Sequence, residues 1–293
     1  MQIAFIGLGN MGAGMATNLV RWAGTRDIRL TVFDLNSAAV NKLAEQGAQA
    51  SKSVEEAIHE ADVIFTSLPT NREVESVAAE IFSHSKQAAV WFETSTNQLS
   101  SWRSLQAQAP RHLTMIDAPV TGGSEGAAAG ALTMLLGCEP QQLDQYGELL
   151  QIFTAKQVRM GPSGAGYVAK LCQLHLNYLV AQGIGEALML GAKGGMNLDV
   201  LYDVLTKSCA QSYVVDSYIP RILDGSYDPS FTLGLAAKDM NLISDLGRAL
   251  SVPLELGDEV CRSYNDAVAR YGADQPHLKI IKRIAQLLFL RHS

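Results

Sequence analysis

Residues 3–12 constrain the fold more than any other stretch. Ile3-Ala4-Phe5-Ile6 reads as a short buried strand, and Gly7-Leu8-Gly9-Asn10-Met11-Gly12 follows it at once. Ala13 to Arg21 then reads as a helix. A strand, a glycine turn and a helix in that order make a dinucleotide-binding unit. Gly7 permits the tight turn, Gly9 lets a pyrophosphate approach the backbone, and Gly12 lets helix and strand pack closely. The helix start offers unused N–H groups and a positive dipole end to phosphate. The whole run, with Leu8, Asn10 and Met11, is expected to line a cofactor. A second strand, Leu30 to Asp34, ends in an acid about 20 residues past the glycines, as this fingerprint requires. Asp34 has two readings: a cap for the helix at Ser37-Ala38, or a carboxylate for the ribose hydroxyls of NAD. The context favours NAD, with NADP as the alternative.

The alternation continues. Val40 to Gln46, a helix opened by the capping box Ser53-Val-Glu-Glu56, Glu73 to Phe82 and Ser100 to Ala107 read as helices. Ala50, Val63 to Leu68, Ala89 to Phe92 and Thr114 to Asp117 read as extended segments. Such alternation specifies an α/β, doubly wound parallel sheet, whose ligands lie off the carboxyl ends of the strands. Gly7 to Gly12, Asp34, Leu68-Pro69, Thr94 to Asn97 and Asp117 to Gly123 all fall there. Ala118 to Gly123 reads as a loop whose Gly122-Gly123 pair exposes N–H groups, as an ordinary turn or as an anion cradle, and Thr121 adds a hydroxyl. Glu125 to Gly130, Leu132 to Gly137, Leu143 to Phe153 and Gln157 to Met160 then complete a first domain over residues 1–161.

Residues 162–293 read as all-helical. The run from Gly161 to Gly195 is longer than an ordinary globular helix and apolar around most of its circumference. A helix buried between other elements, or shared between two subunits, is therefore expected. Lys170 sits in its first turns, at a Gly-rich entrance; it either snorkels to water or faces a cleft. Further helices are expected over Leu198 to Lys207, started by Asn197, then Ser217 to Leu223, Phe231 to Leu250, Asp258 to Arg270 and His277 to Leu290. The last carries apolar Ile280, Ile281, Ile284, Leu287 and Leu288 as a packing stripe. His175 lies on a different face from Lys170, since five residues turn a helix through about 500°; a packing or interface role is expected for it.

Composition narrows the function classes. The 293 residues are 47% hydrophobic and 18% charged, and a net charge of −6 argues against a general nucleic-acid or membrane-surface binder. Cys138, Cys172, Cys209 and Cys261 lie far apart without metal-ligand spacing, so reduced thiols, a cytoplasmic location and no metal site are expected. No apolar run is long enough to span a membrane.

Four ordered blocks carry a resemblance over nearly the whole chain: Gly7 to Gly12, Asp117-Ala-Pro-Val-Thr-Gly-Gly123, Gly161-Pro-Ser-Gly-Ala-Gly-Tyr-Val-Ala-Lys170, and Phe231 through Lys238-Asp239. Together they resemble the 3-hydroxyisobutyrate dehydrogenase family of β-hydroxyacid dehydrogenases, related to 6-phosphogluconate dehydrogenase. The resemblance implies a Rossmann domain, a long helix and an all-helical domain, assembled as a homodimer or homotetramer. It implies Lys170 as the catalytic residue and Thr121, Gly122 and Gly123 as the hold on a small carboxylate substrate. It implies that Leu68, Pro69, Thr96 and Lys238 touch the cofactor. The family usually has Asn three and four positions after the lysine, where Gln173 and Leu174 stand here. Thr121 replaces a usual serine, and the Glu93 to Asn97 turn departs from a usual Asp-x-Ser-Thr-Ile.

The implied reaction is NAD-dependent oxidation of an alcohol β to a carboxylate, with Lys170 moving the hydroxyl proton. Reduction of a small semialdehyde or ketoacid is the same chemistry reversed. An imine reductase, which usually carries Asp or Tyr at the lysine position, and a non-catalytic dinucleotide binder rank below. Gln173 and Leu174 are expected near the substrate. Leu174 either forms an apolar wall that selects an apolar substituent or turns into the core.

Overall fold

The computed structural model describes residues 1–24 and 26–284. Its first compact unit is Met1–Lys170 and its second begins at Leu171. In the first unit β1 (Gln2–Ile6), β2 (Arg29–Phe33), β3 (Gln49–Ala50), β4 (Val63–Thr66), β5 (Val90–Glu93) and β6 (Thr114–Asp117) run parallel in the order β3-β2-β1-β4-β5-β6. They are linked by α1 (Gly12–Ala23), α2 (Ser37–Ala44), α3 (Val54–Ile58), α4 (Asn71–His84) and α5 (Leu99–Gln108). Alternate side chains enter opposite cores. Ile3 and Phe5 of β1 join Val32, Phe65 and Phe92 on one face, and Ala4 and Ile6 join Ile64, Trp91 and Trp102 on the other.

The doubly wound parallel sheet extends to Asp117, and beyond it the sheet is mixed. Val120–Thr121, expected as loop, is a short strand, β7, and α6 (Gly123–Ala129) follows it. β8 (Leu132–Gly137) then runs antiparallel to both β6 and β7, while β9 (Thr154–Gly161), reached through α7 (Pro140–Leu150), is parallel to β8. The link from β7 to β8 is hardly longer than α6 itself, and a parallel crossover needs about a dozen residues or more.

Local caps explain several boundaries. Asn36, not Asp34, caps α2: its side chain accepts from the Ala38 N–H at 3.1 Å. The capping box at Ser53 is only half formed. Ser53 Oγ accepts from Glu56 N–H at 3.0 Å, but the Glu56 carboxylate turns to the Lys52 N–H and Ser51 Oγ.

α8 (Ala165–Lys193) starts in the first unit and continues through the second. Its apolar coat is less complete than expected. Leu171, Leu174, Tyr178, Ala181, Ile184 and Leu188 are buried, whereas Leu176 and Leu190 are 64% and 76% exposed. The second unit adds α9 (Leu198–Thr206), α10 (Tyr213–Leu223), α11 (Leu233–Ala249) and α12 (Glu255–Tyr271). α10 starts earlier than expected because Ser212 Oγ accepts from Val215 N–H. His277–Lys279 is a 3₁₀ turn rather than α-helix, and residues 280–284 are helical. Leu287, Leu288 and the run to Leu290 lie outside the described residues. His175 packs against α12, where a Cβ on Gly257 would come within 2.6 Å of its ring.

The entrance to α8 depends on a missing side chain. A Cβ on Gly166 would stand 2.4 Å from Leu135 O and 2.8 Å from Asp117 Oδ2. Gly166→Ala is therefore expected to destabilise the protein by about 2 kcal/mol or more. Gly183→Ala, where a Cβ meets nothing within 4 Å, should be neutral or stabilising by up to about 1 kcal/mol. Urea denaturation midpoints of the two variants check this.

Candidate active site

Strand register brings most of the predicted residues to one edge. Ile6 pairs with Phe33 and Thr66, Thr66 with Glu93, and Glu93 with Asp117. The residues that leave these strands therefore emerge side by side: Gly7 to Gly12, Asp34, Leu68-Pro69, Thr94 to Asn97 and the segment that leads to Thr121.

The glycine run has the shape a pyrophosphate requires. Gly7 has φ +92°, and a Cβ there would stand 2.2 Å from Ser67 O. A Cβ on Gly12 would stand 1.9 Å from Gly7 O, so neither position accepts a side chain. Gly9 is exposed and has nothing within 4 Å of its missing Cβ, which leaves the backbone open to a ligand. Asn10 is exposed and Met11 half-buried beside it. Leu8 is buried, and its N–H donates to Asp34 Oδ2 at 2.6 Å; Asp34 Oδ1 accepts from Asn36 N–H. Asp34 thus tethers the glycine turn to the end of β2, with its carboxylate at the edge where a ribose is held in such folds. These residues fit NAD.

The next turns are joined underneath. Leu68 N–H donates to Ser95 Oγ at 2.7 Å. Ser95 Oγ donates in turn to Glu93 Oε1, and Ser95 N–H reaches the same oxygen at 3.1 Å. Leu68 and Thr96 are half-buried and Pro69 is exposed. Gly122 and Gly123 have φ +128° and +68°, and both are exposed beside half-buried Thr121. α6 is pinned to α1 by Asn18, whose Nδ2 donates to Ala127 O at 2.9 Å. Gly14 permits the approach, since a Cβ there would lie 2.8 Å from the Ala127 backbone. Sequence reasoning passed over Asn18 and Gly14. The alternation of small residues along α1 was the available signal.

Lys170 is 8% exposed, so the reading in which it snorkels to open water does not hold. Its helix is anchored by two buried carboxylates. Asp117 Oδ1 accepts from Gly164 N–H at 2.6 Å and from Ser163 Oγ, and Oδ2 accepts from Tyr167 N–H at 3.1 Å. Asp117 therefore caps α8 from a distant strand. The Tyr167 hydroxyl donates to Glu93 Oε2. Burial pushes the Glu93 carboxyl up, against the Ser95 and Tyr167 donors. Burial likewise pushes Asp117 up to about 7, opposed by the N–H groups of Gly164 and Tyr167.

The remaining predicted residues belong to the second unit. Gln173 is half-buried. Leu174 packs in a core with Leu171, Tyr178, Leu233 and Met240. Its side chain is committed to that core, which removes the ground for an apolar substrate wall. Lys238 on α11 pairs with Asp239 Oδ1 at 3.1 Å, and Asp239 Oδ2 accepts from the Tyr178 hydroxyl at 2.9 Å. Among the described residues no group of His, Cys, Asp or Glu is arranged to hold a metal ion.

A glycine turn between β1 and α1 at the carboxyl edge of a parallel sheet marks a dinucleotide-binding domain, and comparison with known proteins gives the class. The family profile of the NAD binding domain of 6-phosphogluconate dehydrogenase matches residues 2–161. That of the NAD-binding domain of NADP-dependent 3-hydroxyisobutyrate dehydrogenase matches residues 164–284. The NAD-dependent L-serine dehydrogenase of Pseudomonas aeruginosa is 36% identical over 97% of both chains. The 2-(hydroxymethyl)glutarate dehydrogenase of Eubacterium barkeri is 31% identical, over 87% of this chain and 85% of that one. The structure of Mycobacterium tuberculosis 3-hydroxyisobutyrate dehydrogenase with L-serine superimposes with a TM-score of 0.86 at 30% identity, covering 97% of this chain and 98% of that one. The chain belongs to the 3-hydroxyisobutyrate dehydrogenase family of β-hydroxyacid dehydrogenases.

Asp117 supplies a pH test. Its folded value of about 7 lies above the ordinary 3.8. The native state then binds more protons between those two values, so stability falls as pH rises through that window. Relative to Asp117→Asn, the parent should lose about 2–3 kcal/mol between pH 5 and pH 8. Thermal melts of the pair across that range measure the difference.

Proposed function

We propose that this protein oxidises the primary alcohol of a 2-substituted 3-hydroxypropanoate with NAD, and that Lys170 takes the hydroxyl proton. As a member of its family it is an NAD-dependent oxidoreductase of 3-hydroxyacids. The observation that carries the lysine assignment is its burial at the start of a helix held by Asp117 and Glu93. The substrate class rests on chemistry. L-serine, 3-hydroxyisobutyrate and 2-(hydroxymethyl)glutarate, the compounds in the relatives' names, share the unit HOCH₂–CH(R)–COO⁻ and differ only in R.

NAD, when bound, supplies the hydride acceptor. The chain's residues do the rest. The backbone of Gly7 to Gly12, with Leu8, Asn10 and Met11, holds the pyrophosphate, and Asp34 the ribose hydroxyls. Leu68, Pro69, Thr96 and Lys238 complete the cofactor contacts. The Thr121 hydroxyl and the N–H groups of Gly122 and Gly123 hold the substrate carboxylate, and Gln173 offers an amide to R. Lys170 accepts the proton from the substrate oxygen as the C–H electron pair leaves, and in the reverse direction returns it to the carbonyl oxygen. Residues 1–161 supply most of the cofactor contacts and the carboxylate cradle, and residues 162–293 supply Lys170, Gln173, Lys238 and the assembly surface. The protein works in the cytoplasm, where its four free cysteines would stay reduced, and as a homodimer or homotetramer, the assembly that its family resemblance implies.

NAD reduction with L-serine, 3-hydroxyisobutyrate and 2-(hydroxymethyl)glutarate tests the substrate class; no turnover of any of them overturns it. Lys170→Ala should cut turnover by about 10² or more while NAD binding is kept. Full turnover in that variant removes the lysine from the mechanism.

Cofactor choice is tested at β2. The Asp34 carboxylate repels a 2′-phosphate, so NAD should be preferred. Asp34→Ser with Leu35→Arg should move the kcat/KM ratio toward NADP by about tenfold or more, since each 1.4 kcal/mol is tenfold. Leu35 is 92% exposed, whereas an arginine at Asn36 would remove the cap of α2. A parent that already prefers NADP contradicts the role of Asp34.

A further inference from the structure

Glu93 is fully buried, and the proposed reaction does not use it. Its partners come from three elements. Ser95 donates from the turn after β5, Thr66 Oγ1 lies at 3.4 Å on β4, and the Tyr167 hydroxyl reaches it from α8. Each end of this cluster continues into a segment with a proposed role. Ser95 Oγ, while it donates to Glu93, accepts the Leu68 N–H, so it holds the turn that carries Leu68 and Pro69. Tyr167 lies three residues before Lys170, about one helical turn away. Its ring stands edge-on to Trp102 at 5.4 Å, and its N–H is held by Asp117. The hydroxyl of Tyr167 thus reaches the buried Glu93 carboxyl, and the Asn97 side chain also acts on it.

We propose that Glu93 is a positioning residue that couples the Leu68-Pro69 turn to Lys170, through Ser95 on one side and Tyr167 on the other. The coupling follows from how such a group behaves. A buried carboxylate that loses one donor reorients toward those that remain, so removing Tyr167's hydroxyl shifts Ser95 and, through it, Leu68. In the other direction, loss of the Ser95 hydroxyl frees Glu93 to pull on Tyr167, and Lys170 moves with the first turns of α8. Small displacements of a reacting group are costly, with about 1 Å worth about 10²-fold in rate.

The inference rests on the proposed roles of Leu68, Pro69 and Lys170. Its test uses Tyr167→Phe, which keeps the ring beside Trp102, Ser95→Ala, and the double variant in the full-length protein. NAD affinity is measured by calorimetry. Turnover at saturating NAD is measured with whichever of L-serine, 3-hydroxyisobutyrate and 2-(hydroxymethyl)glutarate the parent oxidises fastest. Tyr167→Phe, on the helix side, should weaken NAD binding by about three- to tenfold as well as lower kcat. Ser95→Ala, on the cofactor side, should lower kcat by a similar factor. The double variant should lose less than the product of the single losses, because both act through one carboxylate. Unchanged NAD affinity in Tyr167→Phe with only a lowered melting temperature, or losses that multiply, overturns the coupling. If Ser95→Ala does not fold, Glu93→Gln takes its place, with the same fall in NAD affinity and kcat expected. Lys170→Ala is run beside them. Retained turnover there overturns the lysine assignment alone, because NAD affinity in Tyr167→Phe reports the coupling independently.

Discussion

A carboxylate at the end of β6 holds the start of α8, and much of the molecule is arranged around that contact. Asp117 accepts the N–H groups of Gly164 and Tyr167, the donors that a helix start leaves unused. An ordinary N-cap comes from the preceding turn. Here it comes from a strand nearly fifty residues earlier, so the helix can leave the sheet only at this point. The space is made by absent side chains. A Cβ on Gly137 would stand 2.2 Å from Asp117 Oδ1, and one on Gly166 would meet Oδ2 and Leu135 O. Burial raises the cost of the carboxylate's charge, and the concentrated donors offset only part of it.

Glu93, one strand over, performs the same task by another route. It takes the hydroxyl of Tyr167 where Asp117 takes its N–H. One residue is thus fixed at both ends, and Lys170 follows it by a single turn. Registration of β5 on β6, which pairs Glu93 with Asp117, sets the two carboxylates side by side. The parallel sheet thereby does more than gather loops at one edge. It also supplies the acceptors from which the exit helix hangs.

Much of this was legible in the chain. The strand, glycine turn and helix of residues 3–12 announce themselves because each step is local: apolar alternation, positive φ and close packing leave marks on adjacent residues. The position of Asp34 at the end of β2 was legible by its spacing, and its competing role as a cap was excluded only when Asn36 was seen to cap α2. The second unit's helices were legible from apolar period. Their starts were less so, because caps such as Ser212 and Thr232 act through hydrogen bonds that periodicity does not encode.

By itself, then, the sequence determined the fold class, the dinucleotide unit, the order of the two halves and the lysine worth testing. Tertiary structure alone decided the rest. The turn-back of β8 depends on how much chain α6 consumes. The packing of Leu174 depends on which face of α8 meets α11, since both of its readings share one helical position. Gly164 and Tyr167, which bind Asp117 and Glu93, lie 47 to 74 residues from them in the chain, and no spacing rule reaches that far. Short-range order is written in neighbouring residues. Hydrogen bonds between distant ones exist only once the sheet has set its register.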